Sequence, residues 1–164
     1  MKKVAIIIGS DSDLPVAEKA YNTLAELGVT ATVHIFSAHR TPDEARDFTR
    51  GAKDNGYGVI IAAAGMAAHL AGAVAANTLL PVIGIPVKSG DLGGMDALLS
   101  TVMMPSGIPV ATVAIGGGAN AALLAAEILA LSDDALYEKL VLKRRENTET
   151  VLEKNRKTEE KFNK

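Results

Sequence analysis

The sequence contains no cysteine and no tryptophan, and only three tyrosines and three phenylalanines among its 164 residues. Without thiols there is no disulfide framework and no thiolate metal site. With so few aromatic rings there is little on which nucleic-acid bases could stack. An excess of charge is missing as well. The 17 Lys and Arg against 19 Asp and Glu leave a formal net charge of -2, not the basic surplus of a nucleic-acid-binding protein. A signal peptide is not expected, because the apolar run Val4–Ile8 behind Lys2-Lys3 is too short for one. Residues 58–87 carry no charge, but they are rich in Ala and Gly and are broken by His69, Asn77, Pro81 and Pro86. That segment is expected to form strand, buried helix and strand, not a membrane span. A cytoplasmic protein with no membrane and no nucleic-acid partner is the expectation.

What is present is a repeating alternation. Short apolar runs predict strands at Val4–Ile8, Val29–Phe36, Val59–Ala63, Leu80–Pro86 and Pro109–Ile115. Helical spacing between them predicts five helices. The first opens near Ser12, Asp13 and Pro15 and stops at Gly28. The second begins with a capping box, Thr41 at N-cap, Pro42 at N1 and Glu44 at N3, and runs to about Asn55-Gly56. Ala67–Asn77, Asp91–Met103 and Ala119–Leu131 complete the set. Five β-α units in series predict one α/β domain, a parallel sheet with helices on both faces. Residues 1–131 form the expected core, and 132–164 a charged helical extension with a thin apolar stripe of Leu136, Leu140, Val151 and Leu152. Between Gly56 and Leu131 only Lys88, Asp91, Asp96 and Glu127 are charged. Such a chain has too little polar surface to cover itself, so a homo-oligomer is expected.

The polar residues of this apolar middle gather where strands end: Gly9-Ser10-Asp11-Ser12-Asp13, Ser37-Ala38-His39-Arg40, Ala64 to His69, Lys88 to Asp91, and Gly116 to Asn120. In a parallel sheet these loops share the edge where ligands bind. Ser10 and Ser12 offer hydroxyls, and the first helix offers free N–H groups to an anion. Asp13 either caps that helix or accepts from sugar hydroxyls, since it would repel a phosphate. His39 and Arg40 stand at a helix N-terminus, where cations lose stability, so an anionic ligand gives them a reason to be there. Arg40 suits a phosphate or carboxylate, and a histidine passes protons near neutral pH. His69 reads equally as a ligand contact or a satisfied buried side chain, and His34, inside a strand, as structural. The three histidines have no matching carboxylate spacing, so no metal site is expected. The Gly116–Gly118 run permits close approach of a ligand or another backbone. It lacks the GxGxxG pattern and following acid of a dinucleotide fold.

Taken together, GSDSD, SAHRTP, AAHLAG, PV-x-S-x-x-L-x-G-x-D-x-L, MP-x-G-x-PV and ANAALLAA, in this order, resemble the N5-carboxyaminoimidazole ribonucleotide mutases of purine biosynthesis, the PurE family. The likeness spans roughly residues 4–131. It implies a three-layer flavodoxin-like sandwich, a homo-octamer with active sites at subunit junctions, and an isomerase that moves a carboxylate from N5 to C4 of an imidazole ribonucleotide without ATP, metal, biotin or other cofactor. It implies substrate binding by Ser10, Asp13 and Arg40 and proton transfer by His39. Ser37, Ala38, Gly65, Ala67, Ala68, His69 and Leu70 would line the pocket. The sequence departs from the family's usual GAGGAAHLPG, with Met66 in place of a glycine, and from its VQMP at Val102-Met103-Met104-Pro105. It also carries a shorter glycine loop before Asn120. A related aminoimidazole ribonucleotide carboxylase using free CO2 typically has lysine where Arg40 stands and a different loop at Ala67-Ala68-His69. A non-catalytic flavin- or nucleotide-binding module is the alternative from another class.

Overall fold

The computed structural model describes residues 2–163. Its middle layer is a five-stranded parallel sheet in the order β2-β1-β3-β4-β5. The strands are β1 (Lys3–Ile8), β2 (Ala31–Ile35), β3 (Tyr57–Gly65), β4 (Val82–Val87) and β5 (Ala111–Thr112). Order reverses between β1 and β3, and a crevice at such a switch point is the usual ligand site of doubly wound sheets. β1 pairs with both neighbours, Ile6 lying opposite Val33 and Ile61, with one register shift against β3 between Lys3 and Val4.

The alternation of a strand sends successive side chains to opposite faces, which is why β1 is apolar from Val4 to Ile8. Val4, Ile6 and Ile8 join one core cluster, and Ala5 and Ile7 the other. The first face is covered by α1 (Leu14–Glu26), α5 (Gly118–Ala130) and the opening turns of α6 (Asp134–Phe162). The second is covered by α2 (Pro42–Gly51), α3 (Leu70–Ala75) and α4 (Met95–Val102). Gly84 of β4 leaves room on that face for Thr101 of α4.

Helix ends follow the sequence in part. α1 carries Pro15 in its first turn and closes with Gly28 at φ +74°. The amides of Gly28 and Val29 donate back to Ala25 and Leu24 at 2.9 Å, the Schellman arrangement. Lys139 of α6 donates to the Leu27 carbonyl at 2.8 Å, placing a cation at the α1 C-terminus. Asp133 caps α6 by accepting from the Leu136 amide at 3.0 Å.

Three expectations need correction. The predicted fifth strand shrinks to two residues. It is an edge strand, and beyond it only isolated bonds such as Gly116 N–H to Pro86 O keep the chain beside β4. Helices α3 and α4 begin later than their patterns suggest, because Met66 and then Gly90, Gly93 and Gly94 adopt positive φ before them. The capping box does not form. Thr41 is the α2 N-cap and Pro42 follows it, but the Thr41 hydroxyl accepts from the Ser37 amide at 2.9 Å and donates to the Ser37 carbonyl at 3.3 Å. It closes the loop before the helix and does not cap the helix itself.

In the C-terminal extension Leu136 and Leu140 are buried, and Lys143 reaches Glu26 at 2.7 Å. Val151 and Leu152 are exposed. Among the described residues no helix is long and apolar enough to cross a membrane.

Candidate active site

The chain leaves β1 at Gly9 and makes a single 3-10 turn, Asp11–Asp13. Ser10 caps that turn, accepting from the Ser12 amide at 3.5 Å and donating to Asp11 Oδ1 at 2.9 Å. Asp13 folds underneath and is only 5% exposed. Burial pushes its carboxyl above the ordinary 3.8, against the lowering effect of hydrogen bonds from the Ser10 and Gly9 backbone and the Ser12 hydroxyl. The neighbouring Asp11 charge adds a smaller push upward.

The chain leaves β2 through the loop that Thr41 closes. Inside it the Ser37 hydroxyl accepts from the Arg40 amide at 3.1 Å and from Arg40 Nε at 3.4 Å. Arg40 Nη2 donates to the Gly9 carbonyl at 2.9 Å. One guanidinium therefore ties the β2 loop to the β1 loop and stands beside Ser10. His39 points the other way, its ring 5.8 Å from that of His69 at an interplanar angle of 29°. His69 is brought there by a tight turn at the end of β3 and serves as N-cap of α3. From β4, Ser89 places its hydroxyl over Gly65, buried and without a hydrogen-bond partner.

These loops enclose a cleft of about 510 Å³. Ser10, Asp13, Ser37, Ala38, His39, Arg40, Gly65, Ala67, His69 and Leu70 all line it. Ala68, the remaining candidate, does not: its side chain is buried at the entry to α3. Gly9, Ser12, Ala64, Met66 and Ser89 line the cleft in addition. They belong to the last residues of β3 and the same strand-end loops, but their meeting is set by long-range packing that local spacing does not reveal. The fifth loop does not line this cleft. Gly118 lies against the Val16 carbonyl, where a side chain would collide with α1. His34 is remote, packed on Phe36 and Phe48 and hydrogen-bonded to Thr32 at 2.9 Å. Burial lowers its pKa, in keeping with a structural histidine. Among the described residues no three His, Asp or Glu side chains gather as a metal ion would require.

The cleft therefore offers a fork donor and a hydroxyl on one side, a sheltered carboxylate below, and two imidazoles beside a small apolar wall. Comparisons with known proteins agree on what such a chain resembles. The family model described as AIR carboxylase matches residues 3–150. The N5-carboxyaminoimidazole ribonucleotide mutase of Haemophilus influenzae is 53% identical over 92% of this chain and 93% of its own. That of Escherichia coli is 52% identical over 92% and 90%, and that of Pyrococcus horikoshii 52% over 96% and 89%. The crystal structure of Treponema denticola PurE superposes with a TM-score of 0.86 at 31% identity, covering 94% of this chain and 96% of that one. A flavodoxin-like sheet order, a cleft at its switch point and close likeness along nearly the whole chain converge: the protein belongs to the AIR carboxylase (PurE) family, beside the N5-carboxyaminoimidazole ribonucleotide mutases.

Proposed function

We propose that this enzyme is an isomerase of purine biosynthesis that converts N5-carboxyaminoimidazole ribonucleotide into its C4-carboxylated isomer. The observation that carries the reading is the convergence of Ser10, Asp13, His39 and Arg40 on one cleft in a chain about 52% identical to named mutases. Arg40, beside Ser10, receives the substrate's phosphate, as a charge-assisted fork donor does. Asp13, sheltered beneath the serine turn, accepts from the ribose hydroxyls. His39 gives a proton to N5 as the carboxylate leaves it and later takes the proton from C4. Small side chains at Ala64 and Ala67 leave room for the carboxyl carbon between the two atoms and keep water away from it. No cofactor is invoked in any of these steps.

The test is direct. Purified protein mixed with N5-carboxyaminoimidazole ribonucleotide, without ATP, should raise the absorbance of the C4-carboxylated product. An enzyme that instead requires aminoimidazole ribonucleotide and free CO2 would be the carboxylase of the same family.

The assembly proposed with this chemistry is a homo-oligomer, an octamer by family resemblance, working in the cytoplasm. Its support is the bare outer face of α4, where Met95, Leu99, Val102 and Met103 are all exposed, and exposed apolar patches of that kind mark interfaces. The distal half of α6 is proposed as an arm on a neighbouring subunit. Because Leu136 and Leu140 belong to the core of this chain, the fair truncation is after Thr148. Light scattering should find that truncated chain less associated than the full one; an unchanged oligomer would reduce the arm to a solvated helix.

A further inference from the structure

Met66 is the only non-glycine residue with a positive φ among the described residues, at +54°. An L side chain there crowds its own backbone, and glycine is the ordinary occupant. Nothing in the packing accounts for a methionine. The side chain is 62% exposed and joins neither core cluster. Its position is specific, however, since it follows Gly65 on the wall of the cleft. The apolar residues around it are small, Ala38, Ala64 and Ala67, and the other long one, Leu70, is buried. Met66 is thus the one lining residue with a long apolar side chain free to move. Backbone strain retained at a binding site, with no gain in packing, points to a use in function.

We propose that Met66 is a flexible apolar cover for the cleft, folding over the bound ribonucleotide's ring and retaining the carboxyl carbon while it is free. The proposal rests on the mutase reading. In that reaction the bond between N5 and the carboxyl carbon breaks, its electron pair staying on N5, which takes a proton from His39. The released CO2 is attacked by C4, a carbon–carbon bond forms, and the C4 proton returns to His39. Atoms and charge balance without another reactant. Between the two steps CO2 is small, uncharged and poorly held by hydrogen bonds, so its escape depends on what closes the mouth of the cleft. An unbranched, polarizable thioether settles on an aromatic ring and adapts its shape, and in doing so it excludes water.

The experiment supplies substrate with an isotopically labelled carboxylate carbon to the parent enzyme, Met66→Gly and Met66→Leu, in buffer containing unlabelled bicarbonate. The parent and Met66→Leu should keep most of the label in the C4-carboxylated product. Met66→Gly, which relieves the strained φ, should stay folded and lose several-fold more label, with aminoimidazole ribonucleotide accumulating. Should Met66→Gly not fold, Met66→Ala takes its place in the same comparison. Equal retention in the glycine and parent enzymes overturns the cover, and so does a leucine variant that leaks as the glycine variant does. A parent enzyme that makes no C4-carboxylated product overturns the mutase reading, and the cover with it.

Discussion

β1 and β3 differ completely from the loops in which they end. Within the strands Ile6, Ile8, Ile60 and Ile61 have no exposure at all. Within five residues of the strand ends, the chain presents Ser10 and Asp13 after β1, and Met66 and His69 after β3. The strands bury apolar surface on both faces and pair with neighbours on either side. The loops hold a strained φ at Met66 and, at Asp13, a carboxylate whose ionisation burial opposes. Stability and chemistry thus occupy adjoining stretches of the same chain, and a rigid scaffold carries a costly site.

Substitutions should pull the two apart. The largest effect is expected at His39. Its side chain is exposed and buries nothing in the core, so His39→Asn should unfold at the parent temperature. Turnover should nevertheless fall by about 10²–10⁴-fold, the usual loss for a general acid–base. Steady-state kinetics alongside thermal melts would expose either a stability change or a near-normal rate.

Ile61→Ala is the reverse case. It deletes a fully buried side chain between β1 and β4 and should cost about 2–5 kcal/mol in a urea titration. The fraction that remains folded should turn over at the parent rate. A specific activity that falls faster than the folded fraction would show that strand and loop are not independent.

At Arg40 the expected effect is smaller. Removing the guanidinium by Arg40→Ala should weaken nucleotide binding by about 10–100-fold, the worth of a charge-assisted hydrogen bond of ~1.5–3 kcal/mol. The dephosphorylated nucleoside should be affected far less. Calorimetric titration of both ligands distinguishes a phosphate contact from simple loosening of the Ser37 loop, which would weaken both equally.

Asp13 should give the smallest and most pH-dependent effect. Folding raises its pKa above 3.8, chiefly through burial, so the native state favours the protonated acid. The ionised carboxylate therefore subtracts stability above the raised value. That loss diminishes as pH falls toward 3.8 and is gone below it. Asp13→Asn should melt above the parent at neutral pH, and the gap should close in acid. A gap independent of pH would mean that the carboxylate's ionisation is not the cause.

The same contrast explains what could be read in advance. β1 was legible almost to the residue, because burial on both faces leaves an uninterrupted apolar run between Lys3 and Gly9. The strand-end loops were legible as a set, since polar residues in an apolar chain mark the edge of the sheet. Their internal geometry was not. The Thr41 hydroxyl has two local uses open to it, and the one taken depends on the path of Ser37. The bond from Arg40 to the Gly9 carbonyl spans 31 residues of sequence, and the approach of Ser89 to Gly65 depends on how β3 and β4 pair. The fifth strand failed for the opposite reason: its apolar pattern is strong, but an edge position gives it one partner only.

The most direct measurement is the structure of this protein with the C4-carboxylated ribonucleotide bound. The account predicts the phosphate on Arg40 and Ser10, the ribose on Asp13 and the imidazole carboxylate beside His39. A nucleotide bound elsewhere, or one lying in the cleft with its phosphate away from Arg40, would contradict it.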